Sequence, residues 1–126
     1  MAAGLTLDSG ALIAAEKGAR TFWALWKEAL ARGVTVTVPA AVVAQVWRGN
    51  DAVIARVFLG CEVEELTEER AKRVARLLAA SRTVDVVDAS VAAGAVARGD
   101  AIVTSDRRDI ERLAASLRRK IVILAV

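Results

Sequence analysis

The sequence predicts an α/β domain built as a three-layer sandwich, with a mostly parallel central sheet of about 4–5 strands and helices on both faces. Three observations predict it. Short apolar runs rich in β-branched residues alternate with longer segments of helical period from one end of the chain to the other. The connections between them are short, with no repeat, linker or low-complexity stretch. At 126 residues the chain has room for a single core, so the whole of 1–126 reads as one domain.

The elements follow in order. Leu5, Thr6 and Leu7 form a first strand near 4–7, and a short helix over 10–16 follows Asp8. Over 20–32, Phe22, Trp26, Ala29 and Leu30 fall at i, i+4, i+7 and i+8, the stripe of a helix with one buried face, and Gly33 ends it. A strand over 34–38 leads to Pro39, which suits the first turn of a helix reaching about residue 48. Asn50 and Asp51 start another helix running to Leu59, and 61–65 alternates weakly, as an outer strand does. Thr67 caps a helix to about residue 80, its hydroxyl reinforced by Glu68 and Glu69 at the positive helix end. Ser81 or Thr83 caps the next helix, over 85–98, which passes through Gly99 into a strand at 101–104. A helix over 107–117 and a strand over 121–124 complete the chain.

Composition narrows the chemistry. There is no histidine, which removes Ser-His-Asp and Cys-His triads and nearly all zinc catalysis. Acid–base work has to rest on carboxylates, lysine or metal-activated water. Cys61 is the sole cysteine, so no internal disulfide and no multi-cysteine zinc site can form, and its apolar context marks it as a core thiol. Net charge is +3, and the basic residues are 14 arginines against 4 lysines. Arginine forks match phosphate oxygens, so this agrees with a polyanionic partner without requiring one. No apolar run approaches a membrane span, and the N-terminal stretch has no basic leader. The expectation is a soluble cytoplasmic protein.

Three aspartates carry the functional reading. Asp8 and Asp106 each follow a predicted strand and precede a predicted helix, so both lie at carboxyl ends of strands, where open α/β sheets bind ligands. Asp88 opens an apolar helix that leads back to the second of those strands. Two carboxylates about 4 Å apart repel by about 4 kcal/mol at an effective dielectric near 20, and a divalent cation is the simplest compensation. Other roles exist for each. Asp8 can cap the helix after it, and Asp106 with Asp109 can form an acidic version of a capping box. Asp85 and Asp109 read first as acids in the first turn of a helix. Asp88, in apolar surroundings, has fewer structural explanations, because an unpaired buried carboxylate is costly.

With these residues in view, the sequence resembles PIN domains, and within them the VapC-type ribonuclease toxins of toxin–antitoxin pairs. LDSGALIA at 7–14 is similar to the family's first acidic motif, VPAAVVAQVWRG at 38–49 to its second block, and DASVAAGAVARGDAIVTSD at 88–106 to its third and fourth, including the 18-residue separation of Asp88 from Asp106. The resemblance implies a PIN-like fold and a Mg²⁺- or Mn²⁺-dependent endoribonuclease with Asp8, Asp88 and Asp106 as catalytic metal ligands. It also implies products with 5′ phosphates and 3′ hydroxyls, a cognate antitoxin protein that covers the site, and a homodimer.

One position departs from the pattern. Gln45 stands where the family usually has glutamate, and an amide oxygen brings no negative charge to a hard cation. Gln45 then orients a ligand or water, and Glu16 or Asp85 can make up the missing charge. Thr104 and Ser105 offer hydroxyls beside the site, although they also suit turn chemistry at a strand end. Arg48 and Arg107 flank the acids and are the expected RNA contacts, with Arg108 beside them. Trp47 extends the apolar face of Val43 and Val46 and is expected to pack rather than to stack on bases.

Other function classes remain. A catalytically silent PIN-like module that binds RNA or the antitoxin would account for Gln45. A receiver-type phosphoryl acceptor wants a lysine at a late strand end, where this chain has Lys120 opening its last strand. Dehalogenase-type chemistry wants a second acid at Gly10, and no Walker A loop is present.

Overall fold

The computed structural model describes residues 3–126. Its strands are β1 (Leu5–Leu7), β2 (Val36–Pro39), β3 (Glu62–Glu64), β4 (Ala101–Thr104) and β5 (Ile123–Ala125). They form one sheet in the order β3-β2-β1-β4-β5, and each neighbouring pair is parallel. β1, β2 and β4 are buried at every residue. That pattern requires cover on both faces, and it buries Thr6, Thr37 and Thr104 along with their apolar neighbours.

Seven helices are described among these residues: α1 (Ser9–Glu16), α2 (Arg20–Ala31), α3 (Ala40–Val46), α4 (Ala52–Leu59), α5 (Glu68–Ser81), α6 (Val86–Arg98) and α7 (Arg107–Leu117). Helix α6 is the central one. Residues Ala89 to Ala95 are all buried, so it is packed on every side. Val91 and Ala95 join the main core with the strands, α1 and α4, whereas Ala89, Ala92 and Ala93 meet Val74 and Leu77 of α5 and Leu113 of α7 in a second cluster. Alanine is what lets one helix be shared between the sheet and two outer helices. Gly99, at φ 75°, turns the chain from α6 into β4 in a left-handed conformation that favours glycine.

Several boundaries differ from the sequence expectation. The cap of α6 is Asp85, whose carboxylate accepts the Asp88 amide at 2.9 Å; Ser81 and Thr83 instead bond to each other, and the Ser81 hydroxyl donates to the Leu77 carbonyl. Pro39 is the last residue of β2 and the N-cap of α3, one step before the position expected. The final strand pairs two residues later, in register Ile102 with Ile123. In α2, Phe22 and Ala29 are buried, but Leu30 is 52% exposed, so the apolar stripe is narrower than the spacing implied. Cys61 is half-buried against the main core, and burial pushes its thiol up to about 12, leaving it unreactive at neutral pH. Thr67 and Asp51 cap α5 and α4 as expected.

An arginine joins the edge strand to the centre of the sheet. The Arg98 guanidinium pairs with Glu64 of β3, donates to the Asp100 carboxylate at 2.9 Å and donates to the Thr6 hydroxyl of β1 at 2.8 Å, and that hydroxyl donates in turn to Asp100 at 2.8 Å. Asp100 is 8% exposed, so its charge depends on this network. Gly94 leaves the room, since a Cβ there would sit 2.6 Å from Glu64 Oε1. Arg98→Met is expected to destabilise the protein by about 3 kcal/mol, because it leaves Asp100 buried without a counter-charge and Glu64 with only Arg70, 3.9 Å away. Urea unfolding of the two proteins measures it; a loss below about 0.5 kcal/mol would show the network to be dispensable.

Candidate carboxylate site

The strand order puts β2 on one side of β1 and β4 on the other, so the chain reverses its winding between β1 and β4. Their register pairs Leu7 with Val103, and the Asp8 amide donates to the Val103 carbonyl at 3.2 Å. Asp8 therefore leaves β1 alongside the end of β4, at the crevice where parallel α/β sheets hold ligands.

Asp8 is 5% exposed. Its carboxylate caps α1 by accepting the Ala11 amide at 2.8 Å. Burial pushes its pKa up; the Thr104 hydroxyl and the Ala11 and Gly10 amides oppose that shift, and repulsion from Asp106 adds to it. Thr104 is fully buried, and its hydroxyl also accepts the Asp106 amide at 2.9 Å. One side chain thus ties the first aspartate to the backbone of the third. Asp106 is the N-cap residue of α7, but its carboxylate makes no capping bond, so the acidic capping box expected as an alternative does not form. Ser105 closes the turn against α1: a Cβ on Gly10 would sit 2.1 Å from Ser105 Oγ and 3.2 Å from the Ser105 amide nitrogen.

Asp88 lies in the first turn of α6, half-buried. Its pKa is raised to about 6, first by burial and then by the charges of Asp85, Asp109, Asp8 and Asp106. Five aspartates from three parts of the chain thus share one electrostatic neighbourhood. Asp109 is the member that sequence reading set aside. The signal was there in its spacing: Asp106 and Asp109 repeat the i, i+3 separation of Asp85 and Asp88, each pair at the start of a helix.

The remaining expected residues divide. Gln45, exposed on α3, accepts a hydrogen bond from the hydroxyl of Ser9, which follows Asp8 in sequence, so it borders the site. Glu16 does not join the aspartates. Its carboxyl group lies beside that of Asp51, an interaction that raises the Glu16 pKa and lowers that of Asp51, with Arg48 nearby. Asp85 serves as a cap and adds its charge next to Asp88. Arg48 donates to the Trp47 carbonyl, and Arg107 to the Ile123 carbonyl at 2.9 Å while pairing with Glu111. Both expected RNA contacts are therefore engaged with their own surroundings. Trp47 packs on Phe58 with ring centroids 6.1 Å apart and remains 39% exposed.

Among the described residues, no three acidic or cysteine side chains converge in an arrangement that could hold a metal ion. The aspartates feel one another's charge without meeting at a point. As donors they suit a hard divalent cation, being all oxygen, anionic and partly desolvated, and burial together with the neighbouring charges raises the pKa of Asp88. The chemistry of the donor set fits such an ion, and the residues would have to draw together around it.

Fold and site together define an α/β domain with an acidic cluster at its topological switch point. The chain belongs to the PIN domain family, whose family model matches residues 5–116. Among solved structures it is similar to VapBC2 from Rickettsia felis, in a crystal structure bound to a DNA fragment from their promoter, with a TM-score of 0.71 and 16% identity over 97% of this chain and 98% of that one. It is also similar to PAE2754 from Pyrobaculum aerophilum, with a TM-score of 0.64 and 20% identity over 98% of this chain and 84% of that one. At those identities the likeness is one of fold. Among curated proteins none matches.

Because the folded-state pKa of Asp88 lies above its ordinary value of 3.8, the fold disfavours its charged form, and stability falls as pH rises from about 4 through about 6. Asp88→Asn is therefore expected to raise the melting temperature in EDTA above pH 6 and to leave it unchanged below pH 4. Thermal melts across that range decide the matter; a variant less stable than wild type at pH 7 would show that the charge is already compensated. Gly10→Ala is expected to displace Ser105 and the turn between β4 and α7, costing about 1–3 kcal/mol by overpacking, as measured by urea unfolding.

Proposed function

We propose that this protein is a metal-dependent endoribonuclease acting as the toxin of a toxin–antitoxin pair. The observation that carries the reading is Asp88, a carboxylate whose pKa is raised to about 6 by burial and then by four neighbouring aspartates, at the switch point of a PIN fold. PIN domains are generally nucleases and generally use divalent metals. Similarity to a VapBC structure supports an antitoxin as partner. The same reading includes a homodimer and a cytoplasmic location.

Asp8, Asp88 and Asp106 would hold Mg²⁺ or Mn²⁺. Bound there, the ion supplies charge neutralisation at the scissile phosphate and lowers the pKa of a water molecule. Asp8 is kept in place by its bonds to the Ala11 amide and the Thr104 hydroxyl. Asp88, partly desolvated and surrounded by four like charges, is an anionic oxygen donor that a divalent cation would neutralise. Gln45 holds the Ser9 hydroxyl, which fixes the start of α1 beside Asp8. On α2, Phe22 and Ala29 face the core, while Leu30, 52% exposed, is open to a protein partner. Trp47, 39% exposed, and Leu59, 90% exposed, are among the apolar groups a second chain can cover.

Incubating total RNA with the purified protein in Mn²⁺, Mg²⁺ or EDTA is expected to yield discrete fragments with 5′ phosphates only where metal is present. Asp8→Ala, Asp88→Ala protein should leave the RNA intact. RNA binding by the folded protein without cleavage in either metal would replace this reading with the catalytically silent module. Gln45→Glu is expected to tighten Mn²⁺ binding about tenfold by calorimetry, by adding a charge at the border of the site.

A further inference from the structure

Beside the aspartates lies a cleft of about 330 Å³ that none of the residues expected to bind RNA lines. Its walls are the turn after α5 and the start of α6 on one side and α7 on the other, with Asp85, Asp88 and Asp109 contributing the acids and Arg82 and Arg112 the bases. The volume is at the small end of ligand clefts, which run about 300–1,000 Å³. It opens directly onto Asp88.

The two arginines are unlike Arg48 and Arg107. Neither forms an ion pair with any of the described residues, although three carboxylates line the same cleft. Their charges do not figure among those acting on Asp88 either. Arg82 and Arg112 are exposed at the rim of an acidic cleft that does not neutralise them, so their donors are free for an anion from outside. A cleft lined by acid alone would repel a polyanion; with these two groups present it can accept a phosphodiester whose neighbour lies at the aspartates. Arg82 closes α5 at φ 55°, a left-handed position that glycine fills more readily, as Arg118 closes α7 at φ 52°.

We propose that Arg82 and Arg112 form a phosphate-binding subsite that grips the backbone of a single-stranded RNA next to the scissile phosphate, so that the strand reaches the aspartates between the turn after α5 and helix α7. This rests on the nuclease reading above, but it is tested separately from it. Arg82→Gly removes a guanidinium at a backbone position glycine favours, and Arg112→Gln removes one from an exposed helix surface, so both variants keep the fold. Arg32→Gln, which removes an exposed charge paired with Glu28 outside the cleft, is the control.

In EDTA, where nothing is cut, binding of a fluorescein-labelled oligoribonucleotide is measured against salt concentration. Each cleft variant is expected to weaken binding about tenfold and to reduce the salt slope by about 0.7, the value for one lost phosphate contact on a single strand. In Mn²⁺, each should raise KM about tenfold with kcat within a factor of two, and Arg32→Gln should change neither quantity. Unchanged slopes and KM in both cleft variants overturn the subsite while leaving the nuclease standing, as does a fall in kcat at constant KM. Altered slopes in a protein that cuts no RNA retain the subsite and overturn the nuclease. No binding by the wild type in EDTA or Mn²⁺ overturns the subsite.

Discussion

The parallel pairing of β1 with β4 is the constraint on which the rest of the molecule depends. These strands are separated by most of the chain, yet their register sets Leu7 against Val103 and so delivers Asp8 and Asp106 to one edge of the sheet. Without that pairing the two aspartates have no reason to be neighbours. The fold holds it from several sides: fully buried side chains on both strands, the Thr104 hydroxyl between Asp8 and the Asp106 amide, and the Thr6–Asp100–Arg98 network at the opposite end of the same two strands. Polar bonds flank an apolar centre, and the apolar centre supplies most of the driving force while the polar bonds select the register.

Helix α6 explains how the third aspartate arrives. Its buried run from Ala89 to Ala95 packs against the sheet and against two outer helices at once, which leaves little freedom to slide or rotate. Asp88 is one residue before that run begins. It is therefore half-buried by the same packing that fixes the helix, and its environment contains four like charges because three helix starts, those of α1, α6 and α7, lie close together. The three positive helix ends partly offset that charge, and capping by Asp8 and Asp85 uses the same fields. Stability and site chemistry are opposed here. The fold carries a concentration of negative charge that burial makes unfavourable, a usual sign that a binding site has been given precedence over stability.

The arginines show how an identical side chain takes different parts. Arg98 is consumed by the scaffold, Arg107 by Glu111 and the β5 carbonyl of Ile123, and Arg48 by a local carbonyl beside Glu16 and Asp51. Those that line the cleft with Asp88 make no such bonds. A net charge of +3 does not distinguish these cases, and proximity in sequence to an aspartate misleads, since Arg107 directly follows Asp106 but turns to another strand.

Sequence by itself determined the fold class, the order of elements and the aspartates that end β1, begin α6 and follow β4, because strand and helix periodicity and cap chemistry act over a few residues. It also excluded histidine and disulfide chemistry by composition alone. Only the tertiary structure decided which side chains share a site. Glu16 was an expected auxiliary acid because it lies on the helix after Asp8, but its neighbour is Asp51, a residue 35 positions away in sequence. Asp109 read as a helix-end acid and proves also to act on Asp88 across from another helix. Leu30 lay on the apolar stripe of α2 and is exposed, because whether a face is covered depends on what packs there. Contacts between distant segments depend on register and helix packing, which are settled by the sum of many weak interactions over the whole chain, and no local pattern records that sum.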